Sequence, residues 1–217
     1  MRSTGFGGSV TERVDPPIFA RFSGEFGAAW LALEGEIRSC QKCPLGATRT
    51  NAVIYRGSPN PRVVFVGEAP GATEDRLGIP FVGRSGRLLD AAVSGVGIGP
   101  AEFGILNLVK CRPPRNRFDR SAAVTCRPYL DRQLELLRPA VLVSLGAHAL
   151  RALDPNAPRV LLAAGHPRSL PGRTLFPLIH PAASLRSRAM SERWRTDFVA
   201  LGAWLTRAES VPARELS

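Results

Sequence analysis

The sequence predicts an α/β protein with three layers, α/β/α, around a central, mainly parallel four-stranded sheet. Short runs of β-branched, leucine and phenylalanine residues recur along the chain and break off abruptly, as buried strands do. Segments with apolar residues at helical spacing alternate with these runs. Such alternation predicts parallel strands with helices on both faces. Right-handed crossovers then bring the carboxyl ends of the strands to one rim, where open sheets bind ligands.

Four runs have the composition of buried strands, and they cover residues 63–66, 103–109, 140–145 and 174–179. The fourth run contains Pro177, which has no N–H to donate, so we expect an edge strand or a bulge there. The Gly-, Pro- and acid-rich residues that follow the first run are predicted to be a loop. Residues 161–172, which include His166, are predicted to be irregular.

Helical periodicity predicts helices over residues 19–37, 121–137, 146–153 and 191–207, and a further helix with Leu88, Leu89 and Ala92 on one face. The first 15 residues are rich in Gly, Ser and Thr and are predicted to be disordered. The sequence therefore predicts one domain over residues 16–208, with a disordered segment before it and a frayed tail over residues 209–217.

The charge balance points to a polyanionic partner. The net charge is +11 and the pI is near 11.0, as in proteins that bind nucleic acid. Only two of the 29 basic residues are lysines, Lys42 and Lys110. The others are arginines, whose guanidinium groups pair well with phosphates. No apolar run reaches the ~20 residues that span a bilayer, and no export signal is visible. We therefore expect a cytoplasmic protein that associates with the nucleoid through DNA and has no membrane partner.

Four cysteines are present, at Cys40, Cys43, Cys111 and Cys126. Disulfides are not expected in a chain without an export signal. Cys40 and Cys43 are spaced to share one metal centre, whereas the second pair is too widely separated for a common zinc ribbon. The spacing alone leaves an iron–sulfur cluster, a zinc site and unligated thiols open.

Polar side chains collect where the predicted strands end. Glu68 follows the first strand, Asn107 lies near the end of the second, and His180 follows the fourth. We expect these three to meet at the carboxyl rim. The alternative is structural, with solvated acids in an ordinary loop and an asparagine that bonds the nearby backbone. His148, within a predicted helix, is interpreted as structural.

Several short motifs occur in a specific order: Cys40-x-x-Cys43-Pro44, GEAPG at 67–71, GIPFVG at 78–83, Asn107, VKCRPPRNR at 109–117, Cys126-Arg127-Pro128 and HPAASLR at 180–186. Over about residues 40–205 the chain resembles the family 4 uracil-DNA glycosylases, the prokaryotic iron–sulfur type. The resemblance implies an α/β/α glycosylase fold. It also implies a structural 4Fe–4S cluster on Cys40, Cys43, Cys111 and Cys126.

The resemblance assigns roles in a uracil pocket. Phe81 would stack on a uracil flipped out of DNA, and Asn107 would read its O4 and N3–H. Backbone groups at Gly67 and Glu68 would complete the pocket, and His180 would donate to uracil O2. A water must then attack C1′. In the best-known branch an Asp positions it, but Ala69 stands there in this chain. In the resemblance, Glu68 and Glu74 would position this water and stabilise the sugar cation. The amide of Asn116 would assist them.

Basic residues beside the pocket motifs are candidate DNA contacts. Four arginines are expected to bind phosphates: Arg112, Arg115, Arg117 and Arg186. Leu185 would enter the gap that the flipped base leaves. For any one arginine, a solvated surface position is the alternative. His166-Pro167 is a second His-Pro pair, but His180 is preferred because a predicted strand leads directly to it.

These assignments predict a monomeric, monofunctional uracil-DNA glycosylase of base excision repair, which acts on uracil-containing DNA without a nucleotide cofactor. The chain lacks the His-bearing insertion of the branch that links covalently to DNA, so turnover is expected. One alternative is an iron–sulfur protein that binds deaminated or abasic DNA without cleaving it. Another is an α/β enzyme with a zinc site that acts on some other anionic substrate.

Overall fold

The computed structural model describes residues 23–210, with side chains to residue 208. The predicted disordered segment over residues 1–15 lies outside the described residues, as do the first residues of the predicted domain and most of the predicted tail.

The sheet has six strands in the order β1-β3-β2-β4-β6-β5. Their bounds are β1 Arg56–Gly57, β2 Val63–Gly67, β3 Phe103–Asn107, β4 Val141–Leu145, β5 Arg168–Leu170 and β6 Arg173–Leu178. The four central strands, β3, β2, β4 and β6, run parallel, and β1 and β5 pair antiparallel at the two edges. The predicted parallel sheet is confirmed, with two short edge strands added to it.

Nine α-helices cover most of the remaining described chain. They are α1 Gly24–Ser39, α2 Leu45–Thr48, α3 Ala72–Leu77, α4 Arg84–Gly95, α5 Arg120–Leu137, α6 Ala147–Leu153, α7 Val160–Ala163, α8 Pro181–Ser184 and α9 Arg188–Ser210. None of the helices within residues 23–210 is long and apolar enough to cross a lipid bilayer.

A separate hydrophobic core packs against each face of the sheet. Along β2, Val64 and Val66 point into one core with α1 and α5, whereas Phe65 points into the other with α4 and α9. Residues that alternate along a strand face opposite sides, so this division follows from the strand period of two. The rings of Phe65 and Phe198 stack at 6.2 Å in the second core. The three-layer α/β/α arrangement predicted from the sequence is therefore confirmed.

Three local predictions were wrong. Residues 161–172 were predicted to be irregular but contain most of α7 and all of β5, and the predicted loop after the first strand contains α3. These elements are three to six residues long, too short to show a period. β6 is not an edge strand, because β5 pairs with it as far as Leu175. Pro177 lies beyond that pairing, where its missing N–H breaks no ladder and its carbonyl accepts from Gly165.

Candidate active site

A cavity of about 600 Å³ opens at the carboxyl rim of the sheet. Its walls come from the residues that follow β2 and β3, the first turns of α3 and α4, and the start of α8. The polar and aromatic residues that line it are Glu68, Thr73, Glu74, Phe81, Arg84, Ser85, Asn107, Asn116, His180 and Arg186. The structure therefore brings together the three residues expected at the rim, Glu68, Asn107 and His180.

Close packing at Gly67 fixes Phe81 against Asn107. A Cβ at Gly67 would lie 2.5 Å from both the Asn107 Oδ1 atom and a carbon of the Phe81 ring. Phe81 has a φ of 54°, which is costly for an aromatic residue, and its carbonyl packs directly on Gly86. The Phe81 ring is buried and lies 6.0 Å from the His180 ring, at an interplanar angle of 38°. The backbone thus holds an aromatic face in the cavity wall at some conformational cost.

Glu74 ties the loop that carries Phe81 to α3. Its Oε1 atom accepts hydrogen bonds from the backbone N–H groups of Val82, at 3.1 Å, and Gly83, at 2.7 Å. One oxygen of this predicted catalytic carboxylate is therefore engaged with the backbone immediately after Phe81. The contact positions the aromatic wall of the cavity.

Asn107 places an unpartnered amide in the cavity wall. The residue is 1% exposed, and neither its Oδ1 nor its Nδ2 atom has a hydrogen-bond partner among the described residues. Its backbone is held separately, because its carbonyl accepts from Lys110 Nζ at 2.6 Å. A buried amide without partners costs about 1–3 kcal/mol. Such a group is typical of a binding site whose ligand supplies the missing donor and acceptor.

His180 is held as a neutral donor. Its Nδ1 atom accepts from the Ala182 N–H at 3.1 Å, at the first turn of α8. Because Nδ1 acts as the acceptor, the proton of the neutral ring belongs on Nε2. Burial, together with the charge of Arg186, lowers the pKa of His180 to about 4. The imidazole is therefore uncharged at physiological pH and can donate from Nε2.

Glu68 is the other carboxylate of the cavity, and it has a partner that the sequence interpretation missed. Burial raises the pKa of Glu68, and the charge of His148 opposes this effect. His148 Nε2 lies 3.9 Å from Glu68 Oε2, and the His148 ring stacks on Phe118 at 3.9 Å. His148 could have been identified from the sequence, because it follows the carboxyl end of β4 by only three residues and such ends meet at the ligand-binding rim.

The loop between β3 and α5 carries the remaining predicted polar groups. Asn116 lines the cavity, and its Oδ1 atom accepts from Arg112 Nε at 2.9 Å. Arg115 and Asn116 both have positive φ values, near 54°, in a tight turn. Arg115 and Arg117 are exposed on this loop and do not line the cavity.

Two further arginines line the cavity itself. Arg186 was predicted as a DNA contact, whereas Arg84, at the start of α4, was missed. Leu185 is 54% exposed beside Arg186. An exposed leucine beside arginines has the chemistry expected of a residue that enters a base stack next to phosphates.

The four cysteines are unpaired and line one small pocket on the α1–α5 side of the sheet. Burial raises the pKa of Cys111 and Cys126, and neighbouring cations oppose this. Arg49 donates to Cys111 Sγ at 3.0 Å, and the backbone of Lys110 hydrogen-bonds Cys126. Thiolates held by cationic donors suit a metal centre.

The separation of the four cysteines bears on which type of metal centre they could hold. Within residues 23–210, no three Cys, His, Asp or Glu side chains converge tightly enough to hold a single metal ion. Thiolates on one zinc ion lie within about 4.6 Å of each other, since Zn–S is about 2.3 Å. A four-iron cluster is larger and spaces its cysteines more widely. The four cysteines line one pocket and could together hold a metal centre.

Comparison with known proteins agrees with this geometry. The model of the Uracil DNA glycosylase superfamily matches residues 54–201. The type-4 uracil-DNA glycosylase of Sulfurisphaera tokodaii is 37% identical over 176 residues, which cover 76% of this chain and 80% of that protein. The Thermotoga maritima type-4 enzyme is 40% identical over 156 residues, 70% of this chain and 81% of that protein. The Pyrobaculum aerophilum type-4 enzyme is 39% identical over 170 residues, 74% of this chain and 87% of that protein. The chain therefore belongs to the uracil-DNA glycosylase superfamily and, within it, to the type-4 uracil-DNA glycosylases.

Proposed function

We propose that this protein is a monofunctional uracil-DNA glycosylase that flips uracil out of DNA and hydrolyses its N-glycosidic bond, leaving an abasic site for base excision repair. The observation that carries the proposal is the buried, unpartnered amide of Asn107 in a cavity between Phe81 and His180. The family membership favours this enzyme over a protein that only binds damaged DNA.

The amide of Asn107 matches one face of uracil. Its Nδ2 group can donate to uracil O4, and its Oδ1 atom can accept from N3–H. Cytosine reverses both groups, so a donor would face a donor and an acceptor would face an acceptor. With the amide held in this orientation, leaving both pairs unmatched in a buried site strongly disfavours cytosine. Phe81 contributes a stacking face that holds the base without choosing it.

His180 supports the departure of uracil. Cleavage of the C1′–N1 bond leaves negative charge on the base, much of it on O2. A neutral imidazole with its proton on Nε2 donates a hydrogen bond to that oxygen, and the Ala182 N–H fixes the ring orientation. One such donor is worth roughly 2.7–4 kcal/mol in rate.

Glu68 is the carboxylate best placed to handle the attacking water. The water oxygen bonds to C1′ as the bond to N1 breaks, and the proton lost by the water passes to the carboxylate. Glu74 has one oxygen on the backbone of Val82 and Gly83, so its contribution includes holding the Phe81 loop. Asn116, which also lines the cavity, assists the alignment of the water.

The chemistry requires no covalent intermediate with the enzyme. A Schiff base needs a lysine at the sugar. Lys110 is fully buried, and its Nζ atom donates to the Asn107 carbonyl. The Lys42 Nζ atom lies over the Tyr129 ring, near the cysteines. Neither ammonium group lines the cavity. These positions support a monofunctional glycosylase.

Cys40, Cys43, Cys111 and Cys126 would hold a 4Fe–4S cluster, which would act as a structural cross-link. This cross-link would connect three parts of the chain: the segment between α1 and α2, the helix α5, and the loop that carries Asn116 and the arginines. Arg112, Arg115, Arg117 and Arg186 would contact phosphates of uracil-containing DNA, with Leu185 in the base stack. Each phosphate neutralised would add about −0.9 to the slope of log affinity against log salt concentration. A monomer in the cytoplasm remains a prediction.

The test is base release from matched oligonucleotides that carry a single U, T or C. We expect free uracil and an alkali-labile site from the U oligonucleotide alone, with or without EDTA. His180→Ala should lower the single-turnover rate by about a hundredfold or more. DNA binding without uracil release by the cluster-loaded wild type would refute the proposed activity, and full activity in His180→Ala would refute the leaving-group role.

A further inference from the structure

His148 lies beside Glu68, a carboxylate of the cavity wall, in an arrangement that the glycosylase mechanism above does not use. Its Nε2 atom lies 3.9 Å from Glu68 Oε2, and its ring stacks on Phe118 at 3.9 Å with an interplanar angle of 22°. The three residues come from three elements: the loop after β2, the loop before α5, and the first turn of α6. One ring thus joins an aromatic face to a carboxylate in the cavity wall.

The packing of α6 separates His148 from a structural role. Ala149 and Leu150 are the buried residues of this helix, whereas half of the His148 side chain is exposed. A histidine with only a packing role would not need to place its Nε2 atom beside a carboxylate. The stack on Phe118 restricts the ring to one plane, and this plane directs Nε2 toward Glu68.

The charges around the cavity make this pair distinct. Besides Glu68, the charged or titratable groups that line it are Glu74 on α3, Arg84 on α4, His180 just before α8 and Arg186 just after it. Among the described residues, His148 is the group whose charge acts appreciably on Glu68. Burial alone would favour the protonated form of that carboxyl, in which it cannot accept a proton from the attacking water.

We propose that His148, oriented by its stack on Phe118, is a positioning residue that keeps the Glu68 carboxylate ionised, so that it can accept the proton of the attacking water. The inference rests on the proposed glycosylase function. Histidine gains its charge at acidic pH, where a buried carboxylate is at risk of protonation. The pair therefore extends activity toward lower pH and leaves the rate at alkaline pH unchanged.

The pH–rate profile of single-turnover uracil release tests this inference. The rate falls as the pH drops through the pKa of Glu68, and removal of the neighbouring cation raises that pKa. The acid limb is the part of the profile over which the rate falls as the pH drops. We expect His148→Gln to shift this limb to higher pH by about half a pH unit, which lowers the rate on the limb roughly threefold. An effect of this size is typical of a half-exposed ion pair. The rate at pH 8 should be unchanged, and His148→Lys should keep the wild-type limb.

Two controls separate this effect from general damage. His166→Gln, which removes a histidine whose charge does not act on Glu68, should leave the profile unchanged. In a Glu68→Gln background, His148→Gln should have no further effect on the limb, because the carboxyl on which it acts is gone. A His148→Gln profile that superimposes on the wild type at every pH would overturn the inference.

A second readout does not depend on catalysis. The titration of the Glu68 carboxyl can be followed by ¹³C NMR in glutamate-labelled protein, with the signal assigned by its loss in Glu68→Gln. We expect a higher midpoint in His148→Gln than in the wild type and in His148→Lys. Equal midpoints in all three proteins would refute the inference, even if uracil is released normally. Loss of uracil release in the wild type, with the midpoint still shifted, would instead refute the proposed function and leave the pairing intact.

Discussion

Replacement of Asn107 by leucine should separate activity from stability. The amide of Asn107 is buried, and neither of its polar atoms has a partner within residues 23–210, so the folded free protein carries the cost of their desolvation. Leucine has nearly the same shape and no polar atoms. The Asn107 carbonyl keeps its hydrogen bond from Lys110, because the side chain takes no part in it. The substitution therefore removes a penalty from the free enzyme and two hydrogen bonds from the bound base.

The magnitudes follow from these contacts. An unsatisfied buried amide costs about 1–3 kcal/mol, and fitting two methyl groups against Gly67 and Phe81 takes back part of the gain. We expect Asn107→Leu to stabilise the free protein by about 1 kcal/mol, which raises the thermal midpoint by roughly 2–4 °C. Uracil release should fall at least about a hundredfold, because two buried groups of the base lose their partners. Anaerobic thermal denaturation followed by circular dichroism, and single-turnover kinetics, measure the two effects.

Asn51→Leu is the matched control, since it makes the same change where the amide is paired. Asn51 Nδ2 donates to the carbonyls of Asp75 and Arg76 at 2.9 and 3.0 Å. Its loss should lower stability by about 1–2 kcal/mol. If Asn107→Leu lost as much stability as Asn51→Leu, the amide of Asn107 would be satisfied in the free enzyme, and the argument from its unpaired state would be wrong.

Further predictions concern the loop, the histidine and the cluster. Gly67→Ala should reduce uracil release at least tenfold, because a Cβ there would lie 2.5 Å from the amide and the aromatic ring of the cavity wall; Gly95→Ala, where a Cβ meets nothing within 4 Å, should have no effect on the rate. Glu74→Gln should keep most of the activity that Glu74→Ala loses, because a glutamine oxygen still accepts from the backbone amides of the loop; equal losses in the two variants would show that the negative charge is required. The folded-state pKa of His180 is about 4 against an ordinary value of 6.5, so the unfolded chain binds the proton more readily and stability falls as the pH drops through that window. His180→Gln should therefore lose less stability than the wild type between pH 7 and pH 4.5 in urea denaturation, and an equal loss would contradict the lowered pKa. Cys126→Ser should lose the brown colour and broad visible absorption of the cluster, and an unchanged spectrum would contradict its assignment as a ligand.

The parts of the fold that depend on long apolar patterns could be predicted from the sequence. The four parallel strands and the long helices carry many buried residues each, so their periods are visible without a structure. The edge strands β1 and β5 have two and three residues and are held by pairing with β3 and β6. Pairing of this kind leaves no local pattern in the sequence.

The candidate site divides in the same way. Asn107 and His180 could be placed because each follows from where a strand ends. The engagement of Glu74 by the backbone joins residues that are 8 and 9 positions apart, and the contact of His148 with Glu68 joins residues 80 apart. Arg84 escaped prediction because its place beside the cavity depends on how α4 packs. The contacts of Glu74 and Arg84 are products of tertiary packing and could not be inferred from spacing, whereas the position of His148 three residues after β4 was available from the sequence.

A crystal structure with DNA that carries 2′-fluoro-2′-deoxyuridine would show which residues hold the flipped base, since the fluorine slows bond cleavage and preserves the bound state. The proposed function predicts uracil in the cavity, stacked on Phe81, with O4 and N3–H paired to the Asn107 amide and O2 within hydrogen-bond distance of His180 Nε2. A flipped uracil that lies elsewhere, or one that leaves the Asn107 amide unpaired, would contradict it.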